Sequence, residues 1–373
     1  MKIVVVGKGI LGLSVAEALS RRAELEVYIV SHPNYSEASA SAAANLSTKS
    51  QVFARDTHFD LKLASRHLYS EWLRNMRREI ELPQADDLSK IYKLGVGRDV
   101  FSNENLANRQ WQRALQSPDE IHIRGLSPQK IYRVSPRVIE YQEEGWVSAQ
   151  HLLELLEQVC RKRGVQFLTV DMTELEKWPN ELMNIDHLVL CTGWMTPQIL
   201  ARWNIRVLPA ALQRNLRWSF GGTARLGLPA WEMPEDLALL EICSSGVMPK
   251  FTLSGGGGQL FGSSVSVTCA NTGNLEIPQP PSQVLVEEQM RAAVKTISSY
   301  LNTGSEKLPF EWRWGMRLGY GHKELVVEKI EPSHHKNPHI QGVIVVAAGA
   351  HKSGFLFAPS IGESVLQKLH DSV

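Results

Sequence analysis

The stretch "KIVVVGKGILGLSVAEAL", residues 2–19, constrains the fold of this chain more than any other. Residues 2–6 are a short β-branched run, the pattern of a strand buried on both faces. Gly7-Lys8-Gly9-Ile10-Leu11-Gly12 follows, and then Leu13, Ala16 and Leu19 recur at helical spacing. A second apolar run, "LEVYIV", ends at Val30. Strand, glycine turn, helix and strand within about 30 residues make a βαβ unit with G-x-G-x-x-G at its first turn. Each glycine has its own task there. Gly7 permits the tight turn, Gly9 lets backbone N–H groups approach a pyrophosphate, and Gly12 lets helix and strand pack closely. Ile10 and Leu11 open the helix, whose N-terminus offers the partial positive charge that an anion favours.

The second strand of such a unit usually ends in an acid that takes a ribose hydroxyl. Here it ends in Ser31-His32. Serine still hydrogen-bonds a ribose, without the help of a charge. The run "SEASASAAANLS", 36–47, comes next. Its small side chains let backbone lie against a bulky group, and its serines can donate to phosphate. Ser39, Ala40, Ser41, Ala44, Asn45 and Leu46 are therefore assigned to the dinucleotide.

Composition narrows the partners. In 373 residues, 40 lysines and arginines face 39 acids, a net charge of +1, which provides no field for steering nucleic acid or an anionic membrane. The four cysteines, Cys160, Cys191, Cys243 and Cys269, show neither C-x-x-C spacing nor a histidine cluster, so no metal site is expected. No apolar run reaches the length of about 20 residues that spans a membrane. Residues 1–6 lead straight into a core strand, so no cleavable leader is expected and the chain reads as cytosolic.

Further along, "EEGWVSAQHLLELLEQVCRKRGVQFL", 143–168, reads as a turn, an amphipathic helix with Leu152, Leu155, Leu156 and Val159 on one face, and a returning strand. "IDHLVLCTGWMTPQIL", 185–200, reads as a strand that breaks at Thr192-Gly193. "WGMRLG" at 314–319 and "GAHKSGFLFAPSIGE" at 349–363 complete the set.

In this order the motifs resemble the FAD-dependent amino-acid oxidase family that contains D-amino acid oxidase, glycine oxidase and sarcosine oxidase. The resemblance implies FAD, a Rossmann-like domain of α/β class, and a discontinuous, mostly antiparallel-sheet substrate domain. It implies that the opening and closing glycine turns hold opposite ends of one FAD. Met172, Thr192, Gly193, Trp194, Gly315, Arg317, Lys352, Ser353, Gly354, Phe355 and Leu356 are assigned to the cofactor on that basis. The implied domains are 1–50, 145–210 and 312–373 for FAD, with 51–144 and 211–311 for the substrate or a partner. Within the second, "SGGGGQLFGSS", 254–264, reads as a hairpin, and a helix is expected over about 284–301.

Flavin oxidation of an amine asks the protein mainly for a grip on the substrate. Arg317 matches the arginine that holds the substrate carboxylate in D-amino acid and glycine oxidases, and its planar fork suits two parallel bonds. Tyr320 and His322 lie just beyond it and are expected to line the same cavity. Lys49, just past the small-residue run, joins Arg317 and Tyr320 as a catalytic candidate whose cation would stabilise superoxide or a flavin anion. Three departures stand against the family pattern. Ser31 replaces an acid, and Ala350 stands where a histidine is common, with His351 one place off. Leu356 stands where sarcosine oxidases carry the lysine that activates oxygen. The expected substrate is a small amino acid or amine. The alternative is a partner protein, as for relatives that mature the cysteine tryptophylquinone of bacterial amino-acid oxidases. A homodimer is compatible with either.

Overall fold

In the computed structural model β1 (Lys2–Val6) runs into α1 (Ile10–Leu19) and β2 (Glu26–Ser31). The two strands pair in parallel with Val6 opposite Val30, and α1 is the crossover that parallel pairing requires. Every residue of α1 is buried, as its nearly continuous apolar sequence demands. The structure describes residues 1–33, 38–42, 44–47, 59–83, 87–89, 91–116, 131–171, 174, 177–179, 182–205, 208–213, 216–226, 237–243, 251–256, 259–271, 288, 310–320, 325–335, 337–351 and 353–370.

The chain continues through α2 (Phe59–Glu79), β3 (Tyr92–Phe101), α3 (Glu104–Gln116), β4 (Ile131–Ser135) and β5 (Val138–Val147). Then come α4 (Ala149–Lys162), β6 (Gln166–Thr169), β7 (His187–Leu190) and α5 (Thr196–Arg202). Five strands follow: β8 (Leu216–Leu226), β9 (Leu237–Cys243), β10 (Phe251–Gly256), β11 (Gln259–Asn271) and β12 (Phe310–Tyr320). β13 (Val326–Ile330), β14 (Ile344–Ala348) and α6 (Gly354–His370) close the series.

Two sheets result. One has the order β13-β14-β7-β1-β2-β6, parallel except for the β13–β14 pair. The other has the order β12-β8-β11-β10-β9-β3-β5-β4, antiparallel except where β3 meets β9. The expected hairpin is β10–β11, with Gly256 opposite Gln259. The helix expected over 284–301 lies outside the described residues apart from Glu288. One segment pairs differently from its grouping in the sequence. β12 overlaps the piece beginning at 312, yet its backbone finds its partners on β8, from Phe310 opposite Leu226 to Tyr320 opposite Leu216.

Strand alternation divides the core. Ile3, Val5, Val27 and Ile29 face one side, where α1, α4 and α6 pack. Val4, Val6, Tyr28 and Val30 face the other, against Trp178, α5 and the ends of β8 and β12. Leu318 and Tyr320 alternate into this second core, with Met316 packed against it, which leaves Arg317 on the opposite side of its strand. Glu17, buried in α1, accepts bonds from Arg163 at 2.8 Å and from the Trp72 indole at 3.2 Å, tying α2 and the end of α4 to the first helix.

His187, at the start of β7, accepts the Val343 N–H at Nδ1, 3.2 Å away. Burial lowers its pKa from the usual 6.5. The folded state thus binds this proton more weakly than the unfolded chain. Its contribution to stability is full above about pH 6.5 and is lost as pH falls through the lower folded value. Thermal midpoints measured between pH 8 and pH 5 should fall on acidification, and His187→Gln should flatten that slope. An unchanged slope would count against this role.

Candidate functional site

The three glycines of the opening turn are needed for different reasons. Gly7 has φ +110°, and a Cβ there would sit 2.4 Å from the Cys191 carbonyl oxygen. A Cβ on Gly12 would sit 1.8 Å from the Gly7 oxygen. Neither position admits a side chain. Gly9 differs: its φ of −74° and ψ of −177° suit any residue, and a Cβ would meet only the Ser39 hydroxyl, at 3.1 Å. The fold does not require glycine at 9. A ligand's close approach does, so the cradle fits a pyrophosphate.

The small-residue run completes the cradle. No side chain of Gly9 caps α1, and the Ser39 hydroxyl accepts the Ile10 N–H at 2.9 Å. A Cβ on Gly315 would meet Ala38 Cα at 2.8 Å, so β12 and this loop touch only because both positions are small.

A cleft runs from this turn across the ends of the parallel strands. Its wall takes in Gly7–Leu11, Ser31, His32, Ala38 and Ser39. It continues past Cys191–Met195, Met316–Leu318, Gly349–His351 and Gly354. The expected residues Gly7, Gly9, Ile10, Leu11, Ser31, His32, Ser39, Thr192, Gly193, Trp194, Arg317 and Gly354 are thereby brought together.

Arg317 sits in this wall with no acidic partner among the described residues. Burial lowers its pKa from the ordinary arginine value, which means that its surroundings penalise the charge and would gain from an anion. Ser219 stands opposite Arg317 in the strand register. Its hydroxyl lies 2.7 Å from Nε2 of His351, another wall residue, held at φ +45° where non-glycine residues are strained.

Other assignments are corrected. Tyr320 is buried in the second core and is not among the residues of the cleft wall. Ala44, Asn45 and Leu46 are drawn away by the end of β5. The Leu46 N–H bonds Gly145 O at 2.7 Å, Val147 N–H bonds Ala44 O at 3.1 Å, and Asn45 bridges to Trp146. Phe355 and Leu356 turn into the core between α6 and α1, while Gly12 and Gly315 serve packing. Ala40 is exposed and Ser41 buried off the wall, and Ser353 turns its N–H to Ala350 O at 2.7 Å. Lys49, Met172, His322 and Lys352 lie outside the described residues.

Several wall residues escaped sequence reasoning, among them Lys8, Ala38, Cys191, Met195, Met316, Leu318, Gly349 and Ala350. Each adjoins a recognised motif, and that adjacency was the available signal. The Lys8 ammonium is itself turned to Glu157 Oε2 at 2.7 Å.

Fold and cleft together define a dinucleotide-binding protein with an anion-seeking arginine in the same cavity. Residues 2–367 match the family described as FAD dependent oxidoreductase (DAO), and the chain belongs to that family. It is an FAD-dependent enzyme. Among solved structures, glycine oxidase from Geobacillus kaustophilus is similar with a TM-score of 0.68 at 16% identity, covering 100% of this chain and 95% of its own. Iminodiacetate oxidase from Chelativorans sp. gives 0.68 at 13%, covering 100% and 96%. L-amino acid deaminase from Proteus vulgaris gives 0.67 at 14%, covering 100% and 94%. No curated protein sequence matches significantly. Among the described residues no helix is long and apolar enough to cross a membrane.

Proposed function

We propose that the chain oxidises a small amino acid or a related carboxylate-bearing amine, with molecular oxygen as the final electron acceptor. Arg317 carries this reading, as a half-buried guanidinium in the cofactor cleft with no acidic partner among the described residues. FAD, when bound, accepts two electrons from the substrate and passes them on. In the balanced reaction the amine loses a hydride and a proton to become an imine, and oxygen becomes hydrogen peroxide. The protein supplies the rest. Arg317 grips the carboxylate by its fork, and the Ser219–His351 contact fixes the polar wall beside it.

The names of the similar structures support the substrate class, since glycine, iminodiacetate and L-amino acids all carry carboxylates beside an amine. The test is an anaerobic screen of glycine, sarcosine and D-amino acids against the purified yellow protein. One or more should bleach the flavin, and in air should yield peroxide. If none bleaches it, the small-molecule reading falls and a partner protein becomes the substrate to seek.

The flavin should be held without a covalent bond. Cys191 is the cysteine in the described cleft wall, and burial pushes its thiol well above the ordinary range, so it carries no reactive thiolate. Acid precipitation should leave all the yellow colour in the supernatant; colour retained in the pellet would contradict this.

A further inference from the structure

β2 ends on Ser31-His32 where a dinucleotide fold usually presents an acid to the ribose. The neighbouring strand carries a carboxylate to the same place. β6 pairs in parallel with β2, Ser31 opposite Thr169, and the Val170 N–H bonds the Ser31 carbonyl at 2.9 Å. One residue further, Asp171 Oδ1 lies 3.3 Å from Nε2 of His32. The His32 side chain is only 8% exposed and forms part of the cleft wall, whereas the Asp171 side chain is 47% exposed and is not in that wall. Asp171 is itself anchored, its carbonyl accepting the indole N–H of buried Trp178 at 3.0 Å. The Ser31 and Thr169 hydroxyls stand 3.4 Å apart beside the pair.

Sheet order says which part of FAD this cluster meets. β1 with its glycine turn is central, β7 and β14 lie on one side, and β2 and β6 lie on the other. Arg317 and His351 share the cleft wall with the segments that follow β7 and β14, so the substrate end is on that side. The β2–β6 side is left for the adenosine.

We propose that the adenosine ribose of FAD is read by His32, with Asp171 as its positioning residue and the acid displaced from β2 to the end of β6. This rests on FAD as the cofactor and on the proposed place of Arg317 at the substrate end. An imidazole whose Nε2 is engaged by a carboxylate is fixed in tautomer and ring orientation, and so presents one defined edge to a ribose hydroxyl. Asp171 does not touch the cofactor and works through His32.

The test uses flavin-free protein and measures competition against FAD by two nucleotides, ADP and 2′,3′-dideoxy-ADP, which differ only in the ribose hydroxyls. The native chain should bind ADP about tenfold tighter, the worth of one good hydrogen bond. His32→Ala and Asp171→Asn should each bind the two nucleotides nearly alike, and the double variant should be no worse than His32→Ala alone. Adding Ser31→Glu to His32→Ala should restore the preference by returning an acid to β2, which no loss of packing could mimic. Thermal midpoints of the flavin-free variants should match the native chain. The proposal is overturned if the native chain shows no preference for ADP, or if either single variant keeps it. Additive losses in the double variant would also overturn it. Failure to bind FAD or ADP at all would instead count against the cofactor assignment.

Discussion

Gly9→Val gives a folded protein that no longer holds FAD. The backbone at 9 is extended and open to any residue, and the nearest obstacle to a Cβ is the movable Ser39 hydroxyl at 3.1 Å. The branched side chain therefore leaves α1 in place and fills the space that a pyrophosphate needs. Gly12→Val is the contrast. Its Cβ would meet a backbone oxygen at 1.8 Å, a clash beyond the ~1–3 kcal/mol usual for overpacking. Circular dichroism and flavin absorbance separate the two cases: native ellipticity without colour for the first, no folded protein for the second. A yellow Gly9→Val protein would show that this turn does not hold the cofactor.

Arg317→Ala keeps the flavin and loses the carboxylate. Two charge-assisted bonds to a bound carboxylate disappear, which costs about 2–4 kcal/mol, or roughly 30- to 1000-fold in affinity. Titrating acetate or benzoate into the holoenzyme, with flavin absorbance as readout, measures this directly. Arg317→Lys restores charge without the fork and should recover only part of the loss. The variant should be at least as stable as the native chain without ligand, since a half-buried cation with no acidic partner among the described residues has been removed. A variant that is unfolded or empty of FAD would make the arginine structural. Unaltered carboxylate binding would remove the clamp from the mechanism.

Local periodicity made much of this architecture readable before any coordinates. The β1–α1–β2 unit, the Leu152-Leu155-Leu156-Val159 face of α4 and the β10–β11 hairpin are each written within a short window. What could not be read depends on distant partners. β12 belongs with β8, and no residue of either strand names the other. Ala44 and Leu46 look like neighbours of Ser39 until the end of β5 captures their backbone. Tyr320 depends on distant partners too, since its burial comes from packing against residues of the parallel sheet such as Val326 and Ile344. Arg317, Gly9 and Ser39 were legible because chemistry restricts their residue types. Met195 and Met316 were not, being ordinary apolar residues that enter the cleft through their neighbours.

The position of β14 in the parallel sheet bears on how the chain is born. β14 lies between β13 and β7, while β7 is also the direct neighbour of β1, so one sheet joins strands that lie far apart in the sequence. α6 then covers α1 so closely that a Cβ on Gly362 would sit 2.1 Å from that of Ala18. On the ribosome, the part of α1 that packs on Gly362 stays uncovered until α6 has been made. Such late closure favours slow folding and exposure to chaperones. It also leaves the flavin cradle incomplete until Gly349–His351 and Gly354, which belong to its wall, have been translated.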